Sequence, residues 1–197
     1  MTAMAALEGI GLAKRYGSGR WALQEIDVAV TSHAITGLVG PNAAGKSTLL
    51  KLWVGFESAT KGTAIVAGVD VGKDRSRALL KLGYVPQLPA LYRELTVAQH
   101  LDLARRLRPG FDRAYAGSRL DDLAVPLESP ASELSGGQIA QVSLALALGT
   151  RAPILLLDEP LASLDPLARH EFLDVLRDAC VSDGLTAILS SHVIGDV

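Results

Sequence analysis

Cys180 is the only cysteine in this 197-residue sequence. No disulfide can therefore close within the chain, and an all-thiol chain suits a reducing compartment. Cys180 reads as a small apolar residue near the end of a helix. Aromatic residues make up 5% of the chain, and Trp21 and Trp53 read as packing side chains. No apolar run approaches the ~20 residues that a membrane helix needs. The longest runs, 142–149 and 154–157, fall far short, so any action at a membrane requires docking on a partner that spans it. Residues 1–11 lack a basic start followed by an apolar block and do not read as a secretory leader. Excess positive charge is missing as well. With 19 basic residues against 21 acidic ones, the net charge of −2 gives no electrostatic reason to expect nucleic acid as a partner. No repeat, low-complexity tract or heptad run is visible.

The length fits one domain, and 49% hydrophobic with 20% charged residues is ordinary globular composition. Short apolar strands alternate with helical stretches, which predicts an α/β fold with a largely parallel sheet. Strands are expected at 34–39, 63–67, 83–85, 153–157 and 185–190, and helices at 46–54 and 166–179. Segment 154–157 is apolar at consecutive positions, as expected of a strand covered on both faces. The middle differs in character. It is helical, punctuated by Pro109, Gly110, Gly117, Pro126 and Pro130, and shows no convincing strand. Residues 88–149 therefore read as a helical subdomain inserted into a core made of 1–87 and 150–197.

Gly40, Pro41, Asn42, Ala43, Ala44, Gly45, Lys46 and Ser47, followed by Thr48, match G-x-x-x-x-G-K-[ST] between a strand and a helix. Glycines let successive backbone N–H groups face a phosphate, and the helix N-terminus adds its dipole. Lys46 supplies a point charge to the β- and γ-phosphates, and the Ser47 hydroxyl can ligate Mg²⁺. The expected ligand is a nucleoside triphosphate. Ala43 stands where similar loops mostly carry glycine. If its φ must be positive, phosphate binding weakens without being lost.

The strand at 154–157 ends in Asp158 and Glu159. Neighbours at a strand end point in different directions, so the two carboxylates can hold different roles. Asp158 is expected in the Mg²⁺ shell and Glu159 facing the γ-phosphate as general base, a role worth ~10²–10⁴-fold in rate. Between these motifs, Leu134, Ser135, Gly136, Gly137 and Gln138 offer a hydroxyl and glycine N–H groups at a helix start, a second anion cradle.

The three motifs together resemble those of ABC (ATP-binding cassette) ATPases, and the resemblance runs from Tyr16 to His192. It implies a P-loop NTPase core of RecA type, with a mostly parallel central sheet, N-terminal antiparallel strands and an inserted helical subdomain that carries the signature. It implies that Ser135, Gly136, Gly137 and Gln138 bind the γ-phosphate of ATP held by the opposite subunit. Gln87, in Tyr84-Val-Pro-Gln87, matches the loop glutamine that touches Mg²⁺ and water. Asp165 matches the D-loop, His192 the switch histidine, and Tyr16 the aromatic that stacks on adenine. ATP and Mg²⁺ are the implied cofactors. The implied partners are a second nucleotide-binding subunit and transmembrane permease subunits, which places the chain in the cytoplasm on the inner face of the cell membrane.

Two departures from the family stand out. Ile139, Ala140, Gln141, Val142 and Ser143 follow the signature where basic residues are common. The chain also stops at Val197, soon after His192, whereas relatives typically continue, so it reads as a shortened product. That ending predicts a weakly anchored His192 and slow hydrolysis. His33, His100 and His170 lack metal-ligand spacing and read as surface or satisfied polar groups. Arg105, Arg106 and Arg108 read as a solvated face, with contact to the membrane partner as the alternative. A soluble ABC ATPase acting on DNA or ribosomes would carry two cassettes or a long coiled coil, and neither is present. An ATP-holding regulatory module is a further alternative, opposed by the intact Lys46, Asp158, Glu159 and His192.

Overall fold

The computed structural model describes residues 5–17 and 19–192. β1 (Ala5–Arg15) and β2 (Trp21–Thr31) form a long antiparallel hairpin. β4 (Lys61–Val66) pairs antiparallel with β1, and the two-residue β5 (Val69–Asp70) completes a sheet in the order β2-β1-β4-β5. A second sheet is wholly parallel, with β3 (Ile35–Val39), β8 (Thr186–Ser191), β7 (Ile154–Leu157) and β6 (Leu82–Val85) as neighbours in that order.

The strand expected at 63–67 thus belongs to the antiparallel sheet. Ala64 and Val66 are buried while Thr63 and Ile65 are only partly so, the alternation of a strand with one covered face. A tight turn through Ala67 and Gly68, both at positive φ, returns the chain at once into β5. Gly62 is what lets β4 lie so close to β1. A Cβ there would collide with the Gly11 carbonyl oxygen. By contrast β7 and β8 are buried at every position, as strands covered on both faces must be.

Helix boundaries follow the caps. α1 (Lys46–Val54) lies between two left-handed glycines, Gly45 and Gly55, and matches the expected 46–54. The short α2 (Arg75–Leu79) starts where the Asp74 side chain accepts the Arg77 N–H. α3 (Val97–Leu107) opens with a capping box between Thr96 and Gln99, and α4 (Arg113–Asp122) with Asp112. A 3₁₀ turn at Ala131–Glu133 leads into α5 (Gly136–Leu148). α6 (Pro166–Asp183) has Pro at its first turn and a left-handed Gly184 as its stop, so it runs past the expected 179.

Three apolar clusters hold these layers together. One joins the antiparallel sheet to α1 and one face of the parallel sheet, with Trp53 buried and its Nε1 donating to the Glu8 carbonyl at 2.8 Å. A second packs α5 and α6 on the opposite face of that sheet. A third, around Leu101, Leu120 and Val142, lies among the helices between residues 97 and 145. The arrangement sends the loops that follow β3, β6, β7 and β8 to one edge of the parallel sheet. That carboxyl edge is where open α/β sheets bind ligands.

Candidate active site

A cleft of about 520 Å³ opens at this edge, lined by phosphate-loop residues 42–48 together with Tyr16, Arg20, Ala22, Gln87 and Glu159. The loop after β3 turns tightly. Ala43 has φ 64° and Gly45 φ 95°. At Gly45 a Cβ would meet the Ala22 carbonyl oxygen at 2.6 Å, so only glycine fits. Ala43 does occupy the left-handed region, which costs an L-residue roughly 1–2 kcal/mol. Lys46 is only 8% exposed. Its Nζ donates to the carbonyls of Gly40 at 2.7 Å and Pro41 at 3.2 Å and pairs with Glu159 Oε1 at 3.1 Å.

The two carboxylates beyond β7 point apart. Asp158 turns inward, where its Oδ1 accepts the hydroxyls of Ser47 at 2.8 Å and Ser190 at 2.9 Å. Burial together with the nearby Asp158 carboxylate pushes the Tyr84 phenol up to about 12. Glu159 turns into the cleft from a left-handed backbone of φ 50°, with its N–H fixed by Ser190 Oγ at 2.8 Å. Burial raises the Glu159 carboxyl, but hydrogen bonds from His192 and Lys46 outweigh it and hold the group below the ordinary carboxylate range.

His192 was expected to be weakly anchored, and the structure instead gives it a partner within the core. Its Nδ1 lies 2.7 Å from Glu159 Oε2. The chain end at Val197 lies outside the described residues.

Gln87 follows β6 into the cleft, and Tyr16 stands at the rim, 45% exposed, with Lys14 Nζ 5.0 Å from its ring centre. Thr48, Asn42 and Ala44 complete the loop wall.

Ser135, Gly136, Gly137, Gln138 and Asp165 meet elsewhere, in a second cleft of about 380 Å³ that shares no residue with the first. Ser135 caps α5 by accepting the Gln138 N–H at 3.2 Å, while Gln138 Oε1 accepts the Ser135 N–H at 2.9 Å. Asp165 Oδ1 caps α6 at Leu167 and Ala168. Gln141 also reaches this cleft, and its amide nitrogen and oxygen are buried without a hydrogen-bond partner among the described residues.

Sequence reasoning missed Arg20, Ser190 and Tyr84. Ser190 lay within the strand expected at 185–190 with no local mark of its role, and Tyr84 stood inside the segment quoted for Gln87. The histidines outside the site have structural partners. His33 meets the Gly184 carbonyl, His170 pairs with Asp174, and the buried His100 meets Tyr92 N–H and the Thr96 carbonyl. Arg108 is not part of a solvated face, since its guanidinium donates to the carbonyls of Leu79, Leu80 and Leu82. Cys180 is half-buried, and burial with the nearby Asp183 pushes its thiol up to about 11.

The family model described as "ABC transporter" matches residues 23–162. The phosphonates import ATP-binding protein PhnC of Thiobacillus denitrificans is 35% identical over 97% of this chain and 79% of its own length. The lipopolysaccharide export system ATP-binding protein LptB of Haemophilus influenzae is 30% identical over 96% of this chain and 81% of its own. A solved ATP-binding subunit of an ABC transporter superposes with a TM-score of 0.83 at 28% identity, covering 96% of this chain and 80% of that one. This chain belongs to the ABC transporter family, as an ATP-binding and ATP-hydrolysing cassette that drives transport.

Proposed function

We propose that the first cleft holds ATP and that Glu159 is the base that activates water against its γ-phosphate. The observation that carries this reading is that Glu159 presents one carboxylate to both Lys46 and His192 at the mouth of the phosphate loop. A lysine ammonium and an imidazole converging on a point occupied by an anionic group fit a γ-phosphate, which carries the same charge sign and acceptor oxygens. The Tyr16 ring stacks on the adenine at the other end, and the backbone N–H groups of residues 42–48 cradle the phosphates between. Glu159, kept ionised by its neighbours, accepts a proton from the attacking water, while Lys46 and His192 face the transferred group.

Ser47 Oγ and Asp158 Oδ1, 2.8 Å apart, with Gln87 lining the same cleft, form an all-oxygen donor set that suits Mg²⁺. These residues would hold the ion, which when bound offsets charge on the phosphates. Glu159→Gln tests the assignment. Phosphate release is expected to fall at least ~100-fold with ATP binding kept, and turnover within a few-fold of the parent would remove Glu159 from the role.

The signature cleft supports a head-to-tail pair of subunits, because a second phosphate cradle that shares no residue with the first has its use on a partner's nucleotide. Ser135→Arg should then block MgATP-dependent dimers in gel filtration while the monomer still binds ATP. The separate apolar cluster around Leu101 and Leu120 supports 88–149 as a helical subdomain of the cassette. No helix among the described residues is long and apolar enough to cross a membrane. The likeness to separately named ATP-binding proteins of import and export systems supports transport through transmembrane permease subunits, with the cassette peripheral on the cytoplasmic face of the cell membrane.

A further inference from the structure

The described lining of the first cleft includes three charged side chains, Arg20, Lys46 and Glu159. Lys46 and Glu159 neutralise each other at 3.1 Å. The cations near Arg20 are also engaged. Lys14 pairs with Glu57 at 2.8 Å, and Arg15 stacks 5.2 Å over the Trp21 ring. The Arg20 side chain has no hydrogen bond or ion pair with any other described residue. Among the described residues, one positive charge in the cleft therefore lacks an anion.

Its place along the cleft is fixed by the backbone. Tyr16 N–H donates to the Arg20 carbonyl at 3.3 Å and Gly19 N–H to the Tyr16 carbonyl at 3.4 Å, so the chain doubles back and sets Arg20 beside Tyr16. Two residues on, the Ala22 carbonyl lies against Gly45 of the phosphate loop. Arg20 thus stands between the ring and the loop. A nucleoside triphosphate presents its groups in the order base, ribose, α-, β-, γ-phosphate. With the base on Tyr16 and the γ-phosphate at Lys46, the phosphate that passes Arg20 is the α-phosphate.

We infer that Arg20 is a nucleotide-binding residue whose guanidinium pairs with the α-phosphate. The inference rests on the nucleotide reading of Tyr16 and Lys46 given above. It makes Arg20 a contact common to ATP and ADP, one that strengthens binding without choosing between them. Guanidinium is suited to the task because its planar donors match phosphate oxygens.

The test measures ATP and ADP dissociation constants for the wild-type chain, Arg20→Gln and Arg20→Lys at low and raised salt. Arg20→Gln should weaken ATP and ADP alike, by about five- to tenfold at low salt. Arg20→Lys should recover most of the loss, and raised salt should weaken the wild type more than Arg20→Gln. Loss of ATP affinity with ADP affinity unchanged would place the arginine at the γ-phosphate end and overturn the inference. A wild type that binds both nucleotides and an Arg20→Gln that binds them equally well would overturn it alone, leaving the nucleotide site intact. A wild type that binds neither nucleotide would bring down the site assignment and the role of Arg20 together.

Discussion

Lys46 and Glu159 lie 3.1 Å apart as a buried ion pair, each 7% exposed at the side chain, so the cation of the phosphate loop is held by the residue assigned as base. Removing one partner of a buried pair leaves the other charged and desolvated, which costs more than the pair contributes. Lys46→Ala is therefore expected to abolish most ATP affinity and also to lower stability by about 1–3 kcal/mol, moderated by the remaining bond from His192 to Glu159. Adding Glu159→Gln to Lys46→Ala should return most of that stability but none of the affinity. Urea unfolding of the single and double variants separates the two effects.

Ala43 holds φ 64°, in the region that glycine enters freely. Ala43→Gly removes the strain at the price of a more flexible unfolded chain, and the two effects nearly cancel in stability. The gain should appear in the ligand, because a loop that adopts its phosphate-binding shape without strain binds more tightly. We expect ATP affinity to rise about two- to fivefold with a thermal midpoint no lower than the parent's. Titration calorimetry and a thermal melt check both numbers.

Gln141 is 6% exposed and its amide makes no hydrogen bond to a described residue. An unsatisfied buried polar group costs ~1–3 kcal/mol. Gln141→Met keeps the volume and removes the amide, so it should stabilise the fold by about 1–2 kcal/mol. A lower denaturant midpoint in this variant would mean that the amide has a partner in solution.

Asp183 ties α4 to the end of α6. Tyr115 donates to its Oδ2 at 2.6 Å, and Arg151 reaches both oxygens at 3.1 and 3.2 Å while stacking 4.0 Å over the Tyr115 ring. Burial raises the Asp183 carboxyl, but the bonds from Tyr115 and Arg151 prevail and hold it low. A group whose folded pKa lies below its unfolded value stabilises above the unfolded value, roughly 4 for aspartate, and loses that contribution as pH falls through the folded one. The wild-type chain should therefore lose stability on acidification below about pH 4, and Asp183→Asn should show a shallower acid slope. Equal slopes in pH-dependent melts would remove Asp183 from the effect.

What could be read from the sequence was what local rules govern. Gly45 and Gly55 mark both ends of α1, and the helix begins and ends where they dictate. The consecutive apolar residues of β7 announced a strand with no wet face. The condition attached to Ala43, a positive φ, is met because the turn geometry is intrinsic to the loop. Other features needed the chain to be folded first. Ser190 acts on Glu159 and Asp158 from 31 and 32 residues away, and nothing in its own neighbourhood reveals that. Arg20 gains meaning only once the loop around Gly45 lies against Ala22. The strand at 63–67 was legible as a strand, but its antiparallel pairing with β1 was not, because a strand's own residues do not say which neighbour it pairs with.

α5 belongs to two cores at once. Leu144 and Leu148 pack with Leu155 and Leu157 of β7, while Val142 and Ala145 pack with Leu101 and Leu120 of the helical layer. Its front end carries Ser135 and the signature glycines, and its flank is part of the wall against which β7, the strand leading to Asp158 and Glu159, is held. Close-packed interiors have low compressibility and pass strain on. The helix is therefore a rigid strut between the two clefts. Ser135 and the strand that leads to Asp158 and Glu159 are thus joined through one helix by continuous side-chain packing, with no loop standing between the two contacts.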